Sequence, residues 1–172
     1  MIFKEVQYFR QWWILFIVCT STLIPLVFVV RQLIHEKTFA FGAPPVVVIV
    51  IVAFILLSVL GLLIFLHLET TITSQEISYH FSPLPVKTRH ILWEEVDHVY
   101  IRKYRPIGEY GGWGIRGLSD KNRAFNVSGE MGIQLVLKNG NRILLGTQKP
   151  REVEQFLKEI GKFNPPVEET KK

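Results

Sequence analysis

One cysteine, Cys19, is all that this 172-residue chain has to offer disulfide or thiolate chemistry. A single cysteine excludes a disulfide within the chain and any cysteine-built metal site. His80, His90 and His98 lack the i, i+2 or i, i+4 spacing that brings two metal ligands together. They read as ordinary strand residues, and no metal or other cofactor is expected. No Gly-Lys-Ser/Thr follows any glycine-rich stretch, so a Walker loop is excluded. Glu94, Glu95 and Asp97 flank Trp93 at a turn, with no nucleophile or base beside them in the pattern, which points away from an enzyme. Charge is absent from residues 12–30, "WWILFIVCTSTLIPLVFVV", and from residues 46–66, "VVVIVIVAFILLSVLGLLIFL".

Those two uncharged runs dominate the first third of the chain. At about 1.5 Å per residue each predicts a helix near the roughly 30 Å of a bilayer's hydrocarbon core. The expectation is a transmembrane hairpin with spans at 12–30 and 46–66, joined by the connector "RQLIHEKTFAFGAPP". A cleaved signal peptide fits less well, because the first apolar core is too long and no small-x-small site follows it. Trp12 and Trp13 read as interfacial anchors. Lys4 and Arg10 at the open end balance Arg31 and Lys37 at the closed end, so charge counting does not orient the hairpin. The chain thus divides into 1–68 (tail and hairpin), a soluble domain at 69–163 and a disordered tail at 164–172. It is expected at the cell membrane as a multi-pass protein, integral to the lipid bilayer.

From Glu69 the hydrophobic period becomes two. Formal charge is +5 over the whole chain, and from Glu69 onward 16 Lys and Arg face 13 Asp and Glu. That excess is too mild to predict a nucleic-acid partner. "ETTITSQEISYHF" predicts two strands around a turn, and "RHILWEEV" and "DHVYIRKY" predict two more after a proline-bearing connection. "GIQLVLKNGNRILLGT" is a hairpin on its Asn139-Gly140 turn. "PREVEQFLKEIG" closes the domain as a helix, with Pro150 in its first turn. Val153, Phe156, Leu157 and Ile160 lie on one stripe of it. The fold class is therefore a membrane helical hairpin plus a mainly β domain. That domain has seven to eight short antiparallel strands in a bent sheet or partial barrel, closed by one C-terminal amphipathic helix.

The segments "ISYHFSP", "ILWEEVDHVYIRKY", "GGWGIRG", "AFNVSG", "GIQLVLKNGNRILLGTQKP" and "EVEQFL" resemble, in order and in turns, the pleckstrin-homology-like domain of bacterial membrane proteins. The resemblance spans roughly Glu69 to Ile160. It implies a cytoplasmic domain and a binding role, in a family without an assigned activity. The first hairpin turn, "TSQE", has no Lys or Arg, so inositol-lipid binding does not carry over at that turn.

"GWGIRG", residues 112–117, has the spacing of a dinucleotide loop, but no helix pattern follows it to receive a phosphate. No nucleotide is expected; glycines that bend a loop and strand explain the run. Around it Arg102, Lys103, Arg105, Arg116, Lys121 and Arg123 bracket Tyr100, Tyr104, Tyr110 and Trp113. Cations interleaved with aromatics suit anionic lipid headgroups or an acidic protein partner. The same pattern also describes a solvated strand face. Arg102, Lys103, Arg105, Tyr110, Trp113 and Arg116 are the candidate contacts. The expected function is a non-catalytic scaffold or binding module at the membrane surface. The alternative is an accessory subunit of a membrane enzyme or transport complex.

Overall fold

The computed structural model describes residues 1–9, 16, 19–20, 23–27, 30–31, 45–85, 87–119 and 121–166. It divides into two compact units, Met1–Phe9 with Leu66–Lys172, and Arg10–Phe65.

Among its described residues the first unit is mostly β: nine strands in two sheets, with a C-terminal helix. One sheet runs β1 (Ile2–Tyr8), β2 (His67–Thr73), β3 (Glu76–Ser82), β4 (Arg89–Leu92), all antiparallel. A single 3-10 turn, Trp93–Glu95, leads from β4 into the second sheet. That sheet is ordered β5 (Val96–Lys103), β8 (Met131–Leu137), β9 (Arg142–Gly146), β7 (Asn122–Asn126), β6 (Gly114–Ser119). Among the described strands, β7 and β9 pair in parallel and the rest antiparallel. Alternation in the sequence fixes which faces meet. Ile77, Tyr79 and Phe81 of β3 point inward, as do Val99, Ile133, Leu135, Phe125 and Leu145 from the other sheet. The Tyr79 and Phe125 rings touch across the gap at 4.6 Å between centroids. A short helix, α2 (Pro106–Tyr110), lies between β5 and β6. The closing helix, α3 (Pro150–Glu159), puts Val153 and Leu157 into the same core, and its Phe156 ring meets Phe3 of β1. Beyond α3, Asn164 exchanges both backbone hydrogen bonds with Val99, so the chain stays on the β5 edge past residue 163. The tail at 167–172 lies outside the described residues.

β1 comes from residues that the sequence pattern grouped with the hairpin. "IFKEVQY" pairs with β2 over its whole length, from Ile2↔Thr73 to Tyr8↔His67. Its polar residues hold it to the other end of the domain. The buried Gln7 side chain donates to the Gly146 carbonyl. Glu5, 4% exposed, accepts from the Thr147 hydroxyl and the Gln148 backbone N–H, each at 2.7 Å.

Burial pushes the Glu5 carboxyl above its ordinary value of 4.5, against the pull of Thr147 and Gln148. A raised acid favours the folded state most when protonated. Its contribution is therefore full below about pH 4.5 and is lost as pH rises through the raised value. Against Glu5→Gln, which stays neutral, the wild type is expected to lose relative stability between pH 4 and pH 7 in urea unfolding. A relative gain over that interval would mean that the ionised carboxylate is the form the fold prefers.

The second unit is described by itself. Its described positions between Phe16 and Arg31 are helical, and Pro45–Phe65 forms α1. Thr20 and Ser58 donate back to the carbonyls of Phe16 and Phe54, one turn earlier. The expected transmembrane hairpin is corrected here. Among the described residues no helix is long and apolar enough to cross a membrane. Much of the expected span at 12–30, Trp12 and Trp13 included, and most of the connector lie outside the described residues. The multi-pass topology and cell-membrane localisation rested on that hairpin and are corrected with it.

Candidate functional site

Period two separates the cations that the sequence interleaves. Val99 and Ile101 of β5 face the core, so Arg102 and Tyr104 face the other side of the sheet. There α2 covers them, and Tyr104 and Tyr110 meet edge-on at 6.1 Å in a small second core with Ala124 and Leu144. Arg102 is spent on this packing. Its Nε donates to Gln134 Oε1 at 2.9 Å, one NH2 group reaches the Tyr110 hydroxyl at 3.1 Å, and the same group pairs with Glu109 at 2.8 Å. Burial works against the Arg102 charge, but Glu109 more than offsets it and holds the guanidinium above its ordinary value. Burial likewise opposes the Glu109 charge, and Arg102 with the Arg105 backbone N–H overcomes it, keeping that carboxyl low. Desolvation, with smaller contributions from Tyr110 and Glu109, carries the Tyr104 phenol up to about 12.

The other candidates disperse. Lys103 points to the opposite side and pairs with Glu130 at 3.0 Å, both largely exposed. Arg105 precedes α2 and its backbone N–H is bound by Glu109. Trp113 donates to the Gly129 carbonyl, and Arg116 Nε donates back to the Trp113 carbonyl at 2.8 Å. The structure thus brings Arg102 and Tyr110 together, and Trp113 and Arg116 together. Arg102, Tyr110 and Glu109 act as a clamp that seats α2. The glycine run opens β6 directly, with Gly112, Gly114 and Gly117 at φ of 129°, 110° and 135°. A strand, not a helix, follows.

A different site lies where the two sheets part. A cavity of about 460 Å³ is lined by Tyr79, Arg89, His90, Ile91, Glu95, Arg123, Leu137, Asn141 and Ile143. Register explains the arginines. Arg89 sits directly across from Tyr79 in the β3–β4 ladder, on the inward face that Ile91 shares. Arg123 lies two residues before the inward Phe125 and opposite Ile143 on β9. Both cations therefore occupy core-face positions at the open rim of the interior. Beneath them the Tyr79 side chain is 3% exposed, and its hydroxyl is buried without a hydrogen-bond partner. Burial raises the Tyr79 phenol, and Arg89 and Arg123 both pull it down. His90 is held by Glu76 at 2.9 Å. Sequence reading missed Tyr79 and Arg89 because they stand far from the aromatic-basic cluster. Parity was the available signal: "SYHF" puts Tyr79 on the core face, and Arg89 and Arg123 each precede an inward residue by two.

The fold and this site define a two-sheet, helix-closed β unit with a cationic cleft between its sheets. No protein-family model, curated protein or solved structure matches the chain. The resemblance to bacterial membrane proteins with a pleckstrin-homology-like domain is accordingly corrected. No family match carries it, and among the described residues no helix spans a membrane.

Proposed function

We propose that the β unit is a pleckstrin-homology-like fold that works as a binding module, without catalysis, and that the cleft between its sheets is the binding place. The bent pair of sheets, with α3 closing the core, supports the fold reading. The observation that carries the function is the cleft. Its volume lies within the range of small-molecule sites, and charged and polar groups converge on it beside an apolar patch of Ile91, Leu137 and Ile143. The aromatic-basic cluster is a weaker place for a ligand, because Arg102 is already bound by its neighbours.

A ligand that binds only the folded state raises the melting temperature, by about 2.7 kcal/mol of stability at a hundredfold excess over Kd. Screened against a panel of small neutral, cationic and anionic aromatics, the full-length protein is expected to respond to a subset. Ile143→Trp and Leu137→Trp, which fill the cleft, are expected to abolish those responses. Filled variants that fold and respond like the wild type would overturn the cleft as the binding place.

A further inference from the structure

Resting on the cleft as the binding place, we infer that its ligand is a small organic oxyanion, a carboxylate or phosphate monoester on an apolar body, clamped by Arg89 and Arg123 and hydrogen-bonded by the Tyr79 hydroxyl. Three independent features converge on that chemistry. Two guanidiniums from different sheets, on β4 and β7, stand at the rim of one cavity. Arginine at such a position offers a planar fork of donors that matches carboxylate and phosphate oxygens. Below them, a buried hydroxyl lacks any acceptor, and an anion seated between the arginines supplies one. Beside the polar His90, Glu95 and Asn141, part of the wall (Ile91, Leu137 and Ile143) is apolar and suits a hydrocarbon or aromatic body.

Glu95 is the carboxylate of the lining, and His90 is tied to Glu76. A ligand of high negative charge, such as a polyphosphate, is opposed by Glu95. Tyr79 packs against Phe125, and the β7–β9 ladder places the Arg123 backbone opposite Ile143.

The experiment uses the full-length protein with benzoate, phenyl phosphate and neutral benzamide as probes, read by calorimetry. Benzoate or phenyl phosphate is expected to bind at least about tenfold more tightly than benzamide, and which of the two binds better identifies the anion. Arg89→Gln and Arg123→Gln are each expected to weaken the anion about tenfold or more and to leave benzamide unchanged. Arg123→Lys, which keeps the charge but loses the fork, is expected to fall between them and wild type. Tyr79→Phe removes only the hydroxyl and is expected to cost a few-fold. Arg116→Gln, outside the cleft, is expected to bind as wild type. Equal binding of all three probes that Ile143→Trp abolishes would overturn the anion inference and leave the cleft standing. Absence of binding by either anion up to about 10 mM, or anion binding indifferent to both arginines, would also overturn it. Probe binding that survives Ile143→Trp would take the proposed function down as well.

Discussion

Removal of residues 1–9 is expected to abolish cooperative folding of the β unit, although most of its sequence begins at Leu66. β1 supplies an edge strand with seven paired residues to β2. It also carries Glu5 and Gln7, whose side chains reach the β9 end and the approach to α3. Without β1, Leu68, Thr70 and Phe156 lose a covering strand. The Thr147 hydroxyl and the Gln148 N–H lose their carboxylate as well. A buried polar group stranded in this way costs about 1–3 kcal/mol, and several are stranded together. Against a total stability of about 5–15 kcal/mol for a domain, that loss is decisive.

The same geometry yields the rescue. The Phe9 N–H donates to the Leu66 carbonyl at 3.3 Å, so the two strand ends stand side by side. Residues 1–9 joined through Asn-Gly to residues 66–166 should close as a two-residue hairpin and fold without Arg10–Phe65. The shorter loop also lowers the closure entropy, by up to roughly 3 kcal/mol if the excised segment behaved as a flexible chain. Circular dichroism and urea unfolding of the truncated and the relinked chain decide the matter. A cooperative transition in residues 66–166 alone, or a molten relinked chain, would refute the role given to β1.

Most of the β unit was legible because its strands alternate. β2, β3, β5, β8, β9 and α3 all fall on segments that period and turn chemistry mark out, the Asn139-Gly140 hairpin most plainly. β1 was illegible for a physical reason. Its partner lies beyond the whole of Arg10–Phe65, and a polar-apolar run such as "IFKEVQY" reads as a strand only when a partner is in view. The site failed differently. Linear clustering drew attention to Arg102 and its neighbours, but adjacent strand residues point to opposite faces and α2 consumed the one that faced it. The cleft residues are scattered over β3, β4 and β7, and only sheet register brings them together. The hairpin expectation rested on apolar length alone, a quantity read without regard to what the described helices span.

Gly117→Val is expected to cost about 3–5 kcal/mol, more than substitution at either earlier glycine of "GWGIRG". At φ of 135° the backbone is already strained for an L residue. A Cβ there would also overlap the Asn122 carbonyl oxygen and sit 2.9 Å from Arg123 Cα, both main-chain atoms that cannot swing aside. The β6–β7 register shifts between Arg116 and Ser119, so Gly117 marks the irregularity that lets β6 turn in against β7. Gly112→Ala provides the contrast. Its φ of 129° carries backbone strain, but the nearest atoms are the Arg116 guanidinium at 3.7 Å, an ordinary contact. About 1–2 kcal/mol is expected there. In a phosphate loop the glycines give amides and room to a ligand, and their loss would be read in affinity. Here the third glycine is the costliest because of what lies across the strand pair, and Arg123 Cγ would be 3.3 Å from the new atom. Gly117→Ala, milder than valine, should therefore weaken anion binding in the cleft through Arg123 while the protein still folds. If chemical denaturation shows the Gly112 variant to be the less stable of the two alanine substitutions, the bend has been assigned to the wrong glycine.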